Sequence, residues 1–301
     1  MAKAREIVKR RKAARNIYKI TKVMQMVATA RFQRALKRSK GTRPYLEKLN
    51  ELVGNVLRGA RGAPELQRHP LLKARKPLKR AAVLVVTSNR GLAGGYNSQI
   101  LRLAMQTIHE LEQNGAEVDI HVAGRKGAAY FRFAQRPAVA SYTTLSDNPK
   151  YEELTPVAQR LMDDYAAEKV DAVKVVYMRF FSVGQQRPNI HDVLPLCLPE
   201  EPHDKTLELS QTPKITAAPE FEPEAGQLLI DLVPTLVRAA VFQAFVDAAV
   251  SEQIARMLAM AAAKENAESM NKLLTREYNR ARQAQITSEL SELMGGVEAL
   301  K

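Results

Sequence analysis

The two ends of the chain carry apolar residues at alternating three- and four-residue steps, the spacing of a helix that packs against another helix. Near the start these positions are Ala13, Ile17, Ile20, Met24, Val27, Leu46, Leu49, Val53 and Val56. Near the end they are Leu229, Val233, Leu236, Ala240, Leu274, Tyr278, Ala281, Ile286, Leu290 and Leu293. Because no third long helix is predicted to cover them, we expect the two ends to pair as a long antiparallel two-helix coiled coil.

Prolines and glycines are expected to modify these two helices. Pro44 lies inside the first pattern and should kink or locally break it, since proline lacks the backbone N–H and clashes with the preceding turn. Pro234 lies in the first turns of the second pattern, where proline is tolerated. Gly295 and Gly296 offer a stop for the second helix.

Between the two helical patterns the chain alternates between predicted strands and predicted helices. Valine-rich runs favour strands, and amphipathic runs favour helices. The predicted strands are Ala81–Thr87, Glu117–Ala123, Ala172–Phe181 and His191–Leu196, and the predicted helices are Asn97–Asn114 and Tyr151–Glu168. Such alternation is typical of an α/β domain with a parallel, Rossmann-like sheet.

The chain is therefore expected to have three parts. Residues 1–58 would form an N-terminal coiled-coil helix, residues 59–226 a Rossmann-like α/β domain with linkers, and residues 227–301 a C-terminal coiled-coil helix. Within the middle part, Pro199–Pro223 is polar and proline-rich, so it is interpreted as a surface excursion.

The charge of the chain is concentrated in its first quarter. The net charge is +14, and residues 1–80 hold 24 lysines and arginines against 4 acidic residues, whereas residues 81–301 hold 22 against 28. A basic field so localised indicates a large acidic partner, which on composition alone is a nucleic acid, an anionic lipid surface or an acidic protein.

The motifs of catalysis are lacking. The loop Ser88–Ser98 follows a strand and precedes a helix, but it contains neither G-x-G-x-x-G nor the P-loop pattern, so a tight glycine turn is favoured over nucleotide binding. The five histidines lack metal-ligand spacing, and adjacent Asp163 and Asp164 diverge on a helix. The single cysteine, Cys197, cannot form an internal disulfide. No catalytic, cofactor or metal site is predicted.

The sequence does not predict that the chain crosses a membrane by itself. The apolar run Ala239–Val250 contains Gln243 and Asp247 and is too short to span a bilayer. The basic start has no apolar stretch behind it, which argues against a secretory signal.

Two other functions stay open on the residues alone. The first is nucleic-acid binding by the basic N-terminal helix, although Tyr18 and Phe32 are its only aromatic residues before Tyr45 and offer no evident stacking platform for bases. The second is a nucleotide-dependent enzyme that uses the loop at Gly91–Gly95.

Three segments resemble the γ subunit of rotary F-type ATP synthases. They are RRKAARNIYKITKVMQMVATARFQRA at Arg10–Ala35, SNRGLAGGYNS at Ser88–Ser98, and the long stretch Ser251–Gly296, and they occur in the family's order. The family often has Asp where this chain has Asn89, and often Cys where it has Ala93. The match begins almost at Met1, which favours a bacterial form without an organelle transit peptide.

The resemblance implies a non-catalytic central shaft that couples proton flow to ATP synthesis or hydrolysis by rotation. It implies as partners the α and β subunits of the surrounding ring, in three copies each, the ε subunit and the membrane rotor ring. Nucleic acid would not be a partner, no cofactor would be bound, and the chain would be a peripheral protein at the cytoplasmic face of the bacterial inner membrane, attached only through the complex.

The resemblance also implies which residues contact the catalytic subunits. Met24 lies in the KVMQMVA segment, and Arg256 lies in the ARMLAM segment. The others lie in or beside the RQAQITSEL segment and are Arg282, Gln283, Thr287 and Glu289. On the residues alone, Met24 fits a helix seam equally well, and the polar residues fit an ordinary solvated helix face.

Overall fold

In the computed structural model, residues 2–59, 69–196 and 225–298 are described. Their helices are α1 (Ala2–Gly59), α2 (Tyr96–Gln113), α3 (Arg125–Phe133), α4 (Tyr151–Ala166) and α5 (Ala225–Glu298). Their strands are β1 (Arg80–Val86), β2 (Glu117–Ala123), β3 (Ala140–Tyr142), β4 (Ala172–Ser182) and β5 (Gln185–Leu194). Cys197 and the predicted excursion at Pro199–Pro223 lie outside the described residues.

The described elements belong to two compact units. The first unit holds the chain up to Arg31 together with the chain from Gln253 onward, and the second unit is Phe32–Glu252. Both α1 and α5 contribute a segment to each unit, and the sheet lies wholly in the second unit.

The second unit is built on a five-stranded sheet with the order β3-β2-β1-β4-β5. β1 runs parallel to β2 and β4, and β2 runs parallel to β3, whereas β5 runs antiparallel to β4. The prediction of a parallel Rossmann-like sheet is confirmed for four strands. β5 is antiparallel because only Val183 and Gly184 join it to β4, and a parallel return needs a crossover of a dozen or more residues.

The apolar faces of α4 and α5 cover one face of this sheet. Side chains of β1 such as Leu84 are buried in one cluster with α4 residues such as Leu161 and with α5 residues such as Val237 and Val241. The run Ala239–Val250 is thus core. Within Ile230–Ser291, α5 has a stretch long and apolar enough to cross a membrane, but 67% of that stretch is buried inside the protein, as in a core helix.

Neither predicted helix interruption is observed. α1 continues through Pro44 to Gly59. Beyond the proline, Leu49, Val53 and Val56 are buried, and their packing compensates for the backbone hydrogen bond that Pro44 cannot donate. α5 continues through Pro234 and through the two glycines to Glu298. The predicted local break at Pro44 and the stop at Gly295–Gly296 are therefore wrong, and the alternative of a kink at Pro44 stays a prediction.

The helix seam lies on a different side of α1 from the one that the apolar spacing predicts. Between residues 5 and 31, the buried positions of α1 are Ala14, Thr21 and Ala28, which are seven residues apart. On α5 the buried positions with the same spacing are Met260, Ala267 and Leu274. The predicted seam residues Ile17, Ile20 and Val27 are exposed instead. Small residues at the seam allow two helices to approach closely, and the seven-residue repeat is that of a coiled coil.

Contacts between the terminal helices confirm that they pack on each other in antiparallel order. In the first unit the guanidinium of Arg11 lies 4.7 Å from the ring centroid of Tyr278. In the second unit the guanidinium of Arg38 lies 5.5 Å from the ring centroid of Phe242. Higher numbers on α1 therefore meet lower numbers on α5, as in an antiparallel pair.

His121 on β2 should make the stability of the second unit depend on pH. Its ring is buried, it stacks on Tyr142 with 6.4 Å between centroids, and its Nδ1 has no hydrogen-bond partner among the described residues. Burial lowers the pKa of His121 below 6.5 and the charge of Arg160 lowers it further, whereas Asp119 and Asp164 act in the opposite direction.

We expect the free energy of unfolding to fall as the pH drops from 7 to 5. Because the pKa of His121 lies below 6.5 in the folded state, the unfolded chain binds more protons at this residue. The contribution of His121 to the free energy of unfolding is therefore fully present above pH 6.5 and is lost as the pH falls below it. The variant His121→Leu should flatten the slope of urea midpoints against pH, and the exposed control His109→Gln should keep it. An unchanged slope in His121→Leu would show that His121 is not the source of the pH dependence.

Candidate partner-contact surface

The first unit presents a row of large apolar side chains on α1, which we call the outer face. These side chains are 47 to 58% exposed and are Ile17, Ile20, Val23, Met26 and Val27. They lie outside because Ala14, Thr21 and Ala28 take the seam positions. Contiguous exposed apolar residues mark interaction sites, so the outer face is a candidate surface for a partner.

The outer face lies on a strongly basic helix segment. Up to Arg31 the chain has ten lysines and arginines and one acidic residue, Glu6. Glu6 is paired with Arg10 at 2.6 Å between Nη2 and Oε1. Exposed side chains such as Lys12, Lys19 and Lys22 remain along the segment. A surface with both apolar residues and cations matches a partner that presents apolar and acidic groups together.

Met24 lies at the edge between the seam and the outer face. Its side chain is half-buried, and its helix neighbours one turn away are buried Thr21 and Ala28 on one side and exposed Ile20 and Val27 on the other. The position of Met24 is compatible with both interpretations of the sequence, a contact within the helix seam and a contact with a partner.

Four predicted contact residues lie on exposed parts of α5. Arg282, Gln283, Thr287 and Glu289 are all exposed. Thr287 Oγ1 donates to the main-chain oxygen of Gln283 at 3.0 Å. In the same part of the helix the exposed apolar side chains are Ile286, Leu290, Leu293 and Met294. The polar groups thus stand beside an apolar stripe, a combination that suits a protein interface.

Arg256 differs from the other predicted contact residues. Its side chain is only 6% exposed, although it lies on the same helix. The structure therefore does not bring Arg256 together with the exposed group, and its role as a partner contact stays a prediction.

The loop after β1 is a hydrogen-bonded junction. Ser88 N donates to Asn97 Oδ1 at 3.0 Å, which ties the end of β1 to the start of α2. Asn89 accepts from Arg125 N at 3.2 Å and donates to Leu145 O at 2.8 Å, which ties the same loop to α3 and to the segment before α4. Gly94 has φ of 55°, so the glycine-turn interpretation fits this geometry. Among the described residues, no group of three or more His, Cys, Asp or Glu could hold a metal ion.

Comparison with known proteins gives full-length relatives. A family model described as ATP synthase matches residues 3–300. The ATP synthase gamma chain of Rhodopirellula baltica is 39% identical and that of Leptospira biflexa is 37% identical, each with all of both chains covered. The gamma chain of Saccharopolyspora erythraea is 39% identical, with 100% of this chain and 98% of the relative covered.

Solved structures share the fold. A chain of the Euglena gracilis mitochondrial ATP synthase, OSCP/F1/c-ring, superposes with a TM-score of 0.64 at 18% identity, covering 99% of this chain and 95% of that one. A chain of the Tetrahymena thermophila mitochondrial ATP synthase central stalk/c-ring superposes with a TM-score of 0.56 at 19% identity, covering 81% and 99%.

The paired terminal helices, the inserted α/β unit and the match over residues 3–300 define a protein of the ATP synthase class. Within that class, the relatives that are 37 to 39% identical over their full length are gamma chains. The chain belongs to the ATP synthase gamma chain family.

Proposed function

We propose that the chain is the central rotor shaft of the catalytic sector of a proton-translocating ATP synthase and that it carries no catalytic site. In this role it couples proton flow through the membrane rotor to ATP synthesis or hydrolysis in the surrounding subunits. Membership of the gamma chain family over the full length supports the proposal. No observation favours the alternative of nucleic-acid binding by the basic helix.

The outer face is the observation that carries this proposal. A shaft inside a ring changes the conformation of each ring subunit only through contacts that differ from one conformation to another. α1 meets this need, because its small seam residues hold the helix pair together while its large apolar residues and cations face outward. Cations on the shaft opposite acidic groups on the ring would give long-range contacts without the tight packing that resists rotation.

The proposed partners are the α and β subunits of the ring, the ε subunit and the membrane rotor ring. The chain would reach the membrane only through this complex, at the cytoplasmic face of a bacterial inner membrane. Bacterial gamma chains among its relatives support this location.

The direct test is assembly with purified ring subunits. We expect the chain alone to show no ATPase activity, and a complex with three α and three β subunits to hydrolyse ATP in coupled rotation. Activity of the isolated chain, or purification with nucleic acid in place of the ring, would overturn the proposal.

Introducing a charge at Met24 should impair coupling more than assembly. Met24→Lys places a cation where the shaft is proposed to face the catalytic subunits, and a change of about 1 to 3 kcal/mol in a differential contact shifts a conformational equilibrium by about five- to 150-fold. We expect several-fold less ATP synthesised per proton translocated in membrane vesicles. Met24→Leu, which keeps the volume without adding a charge, should behave as the unchanged protein. An unaltered yield of ATP per proton in Met24→Lys would contradict the proposed contact between Met24 and the catalytic subunits.

A further inference from the structure

One edge of the sheet is formed by a short strand. β3 has three residues, lies at the end of the strand order and pairs with β2. Main-chain hydrogen bonds flank this pairing, since Val139 N donates to Ile120 O at 2.8 Å and Gly124 N donates to Tyr142 O at 3.2 Å. A short strand that is held from one side belongs to the part of a protein that opens most readily by local unfolding.

The side chain of His121 is buried at this edge. In the register of the strands it lies opposite Ala140 of β3 and opposite the apolar Leu84 of β1. Its ring is 2% exposed, stacks on Tyr142, and has no hydrogen-bond partner for Nδ1 among the described residues. Burial raises the pKa of Tyr142 above its usual 10.0, so this neighbour is neutral as well. The closed edge therefore suits a neutral imidazole and opposes a charged one.

The carboxylates around this imidazole are already engaged by other cations. On β2, Asp119 is joined to Arg80 at 2.9 Å. On α4, Asp164 is joined to Lys169 at 3.2 Å and lies 3.9 Å from Arg160. Burial lowers the pKa of the histidine most, and the charge of Arg160 lowers it further. A protonated ring would have to compete with these cations for a carboxylate, so protonation is unfavourable while the edge stays closed.

The chain after β3 ties this edge to the loop after β1. Leu145, three residues beyond the strand, accepts a hydrogen bond from Asn89 Nδ2 at 2.8 Å. Asp147 Oδ2 lies 3.3 Å from Arg90 Nε. Asn89 in turn accepts from the main-chain N–H of Arg125 at 3.2 Å. Detachment of β3 would therefore remove contacts that hold this loop, and the N–H of Arg125 would report the change.

We propose that Ala140–Asp147 is an acid-sensitive latch, in which protonation of His121 releases β3 from β2 and frees the loop after β1. The latch is closed when the imidazole is neutral. It opens as the pH falls, because the open edge exposes the ring to water, where it binds a proton with its ordinary pKa of 6.5. The latch goes beyond the proposed function and needs no partner, so its failure would leave that function intact.

Residue-resolved hydrogen exchange of the full chain, followed by NMR and corrected for the intrinsic effect of pH, tests the latch. We expect the N–H groups of Val139, Gly124 and Arg125 to exchange faster at about pH 5.5 than at about pH 7.5. The limit is about tenfold, the ratio for one proton that binds only to the open state with a pKa of 6.5. Low concentrations of urea should not accelerate this exchange, because a local opening exposes little surface, whereas they should accelerate exchange in β1.

His121→Leu should abolish the acid-induced acceleration at all three N–H groups, and His109→Gln, at an exposed histidine of α2, should keep it. In the unchanged chain the ring signals of His121 should titrate below pH 6.5, a measurement that does not depend on whether the variant folds. Acceleration that persists in His121→Leu, or titration of His121 at or above pH 6.5, would overturn the latch. The same holds if Val139 and Gly124 respond to acid without Arg125, or if their exchange depends on urea as strongly as exchange in β1.

Discussion

Replacement of Gly124 by alanine is expected to lower the free energy of unfolding of the second unit by about 3 to 5 kcal/mol. Gly124 follows β2 with φ of 96°, a conformation that side chains rarely adopt. A Cβ added there would lie 2.2 Å from the main-chain oxygen of Thr87. Because that oxygen belongs to the backbone at the end of β1, neither strand can move away without breaking the parallel pairing at its carboxyl end.

Two other glycines separate the causes of this loss. Gly115 has φ of 83° but nothing within 4 Å of an added Cβ, so Gly115→Ala should show the conformational cost alone, about 1 kcal/mol. Gly184 also has open space around it, and Gly184→Ala should change stability by less than about 0.5 kcal/mol. Urea unfolding followed by circular dichroism gives all three values, and equal losses at Gly124 and Gly115 would contradict the role of the close approach.

Placing a carboxylate in the helix seam should be the most damaging single change in the first unit. Ala28 is 1% exposed, and Ala28→Asp places a charged carboxylate in the buried seam, at a cost of about 3 kcal/mol. We expect Ala28→Asp to lose its helical circular dichroism at 222 nm at a lower temperature than the unchanged chain does. We also expect this variant to fail to assemble with the ring subunits.

The neighbouring residue provides the control. Val27 is 47% exposed on the outer face, so Val27→Asp should leave the melting temperature of the isolated chain nearly unchanged. The apolar spacing of the sequence, which puts Val27 in the seam, predicts the reverse order. A larger loss for Val27→Asp than for Ala28→Asp would show that the seam is misplaced.

The sequence predicts β1, β2 and β4 well because their signals are local, whereas it does not predict the three-residue strand β3. β2 is predicted with its observed bounds, and β1 is predicted to within one residue at each end, because continuous apolar runs between breakers define buried strands. β5 is recognised only at its end, since Gln185–Asn189 is polar and contains Pro188, which an edge strand tolerates and a central strand does not.

The seam illustrates what periodicity cannot resolve. α1 has two apolar faces with the same spacing, and the face with the larger side chains gives the stronger signal. The protein buries the weaker face, Ala14, Thr21 and Ala28, against α5. Under the proposed function the reason lies outside the chain, because the larger residues would face a ring subunit that a single sequence does not contain.

The junction after β1 shows a second limit. Its glycines indicate a turn, but the groups that hold Asn89 are 36 and 56 residues away along the chain. Such bonds follow from the completed sheet, which brings the ends of neighbouring parallel strands together. Burial of Arg256 is likewise a result of tertiary packing that the ARMLAM segment does not reveal.

The outer face has a consequence for how the cell must make this protein. A newly synthesised copy that lacks its ring presents Ile17, Ile20 and Val27 to water beside a dense set of cations. Such an orphan subunit is attractive to chaperones, proteases and anionic polymers alike. We therefore expect the cell to produce the chain in balanced stoichiometry with the ring subunits.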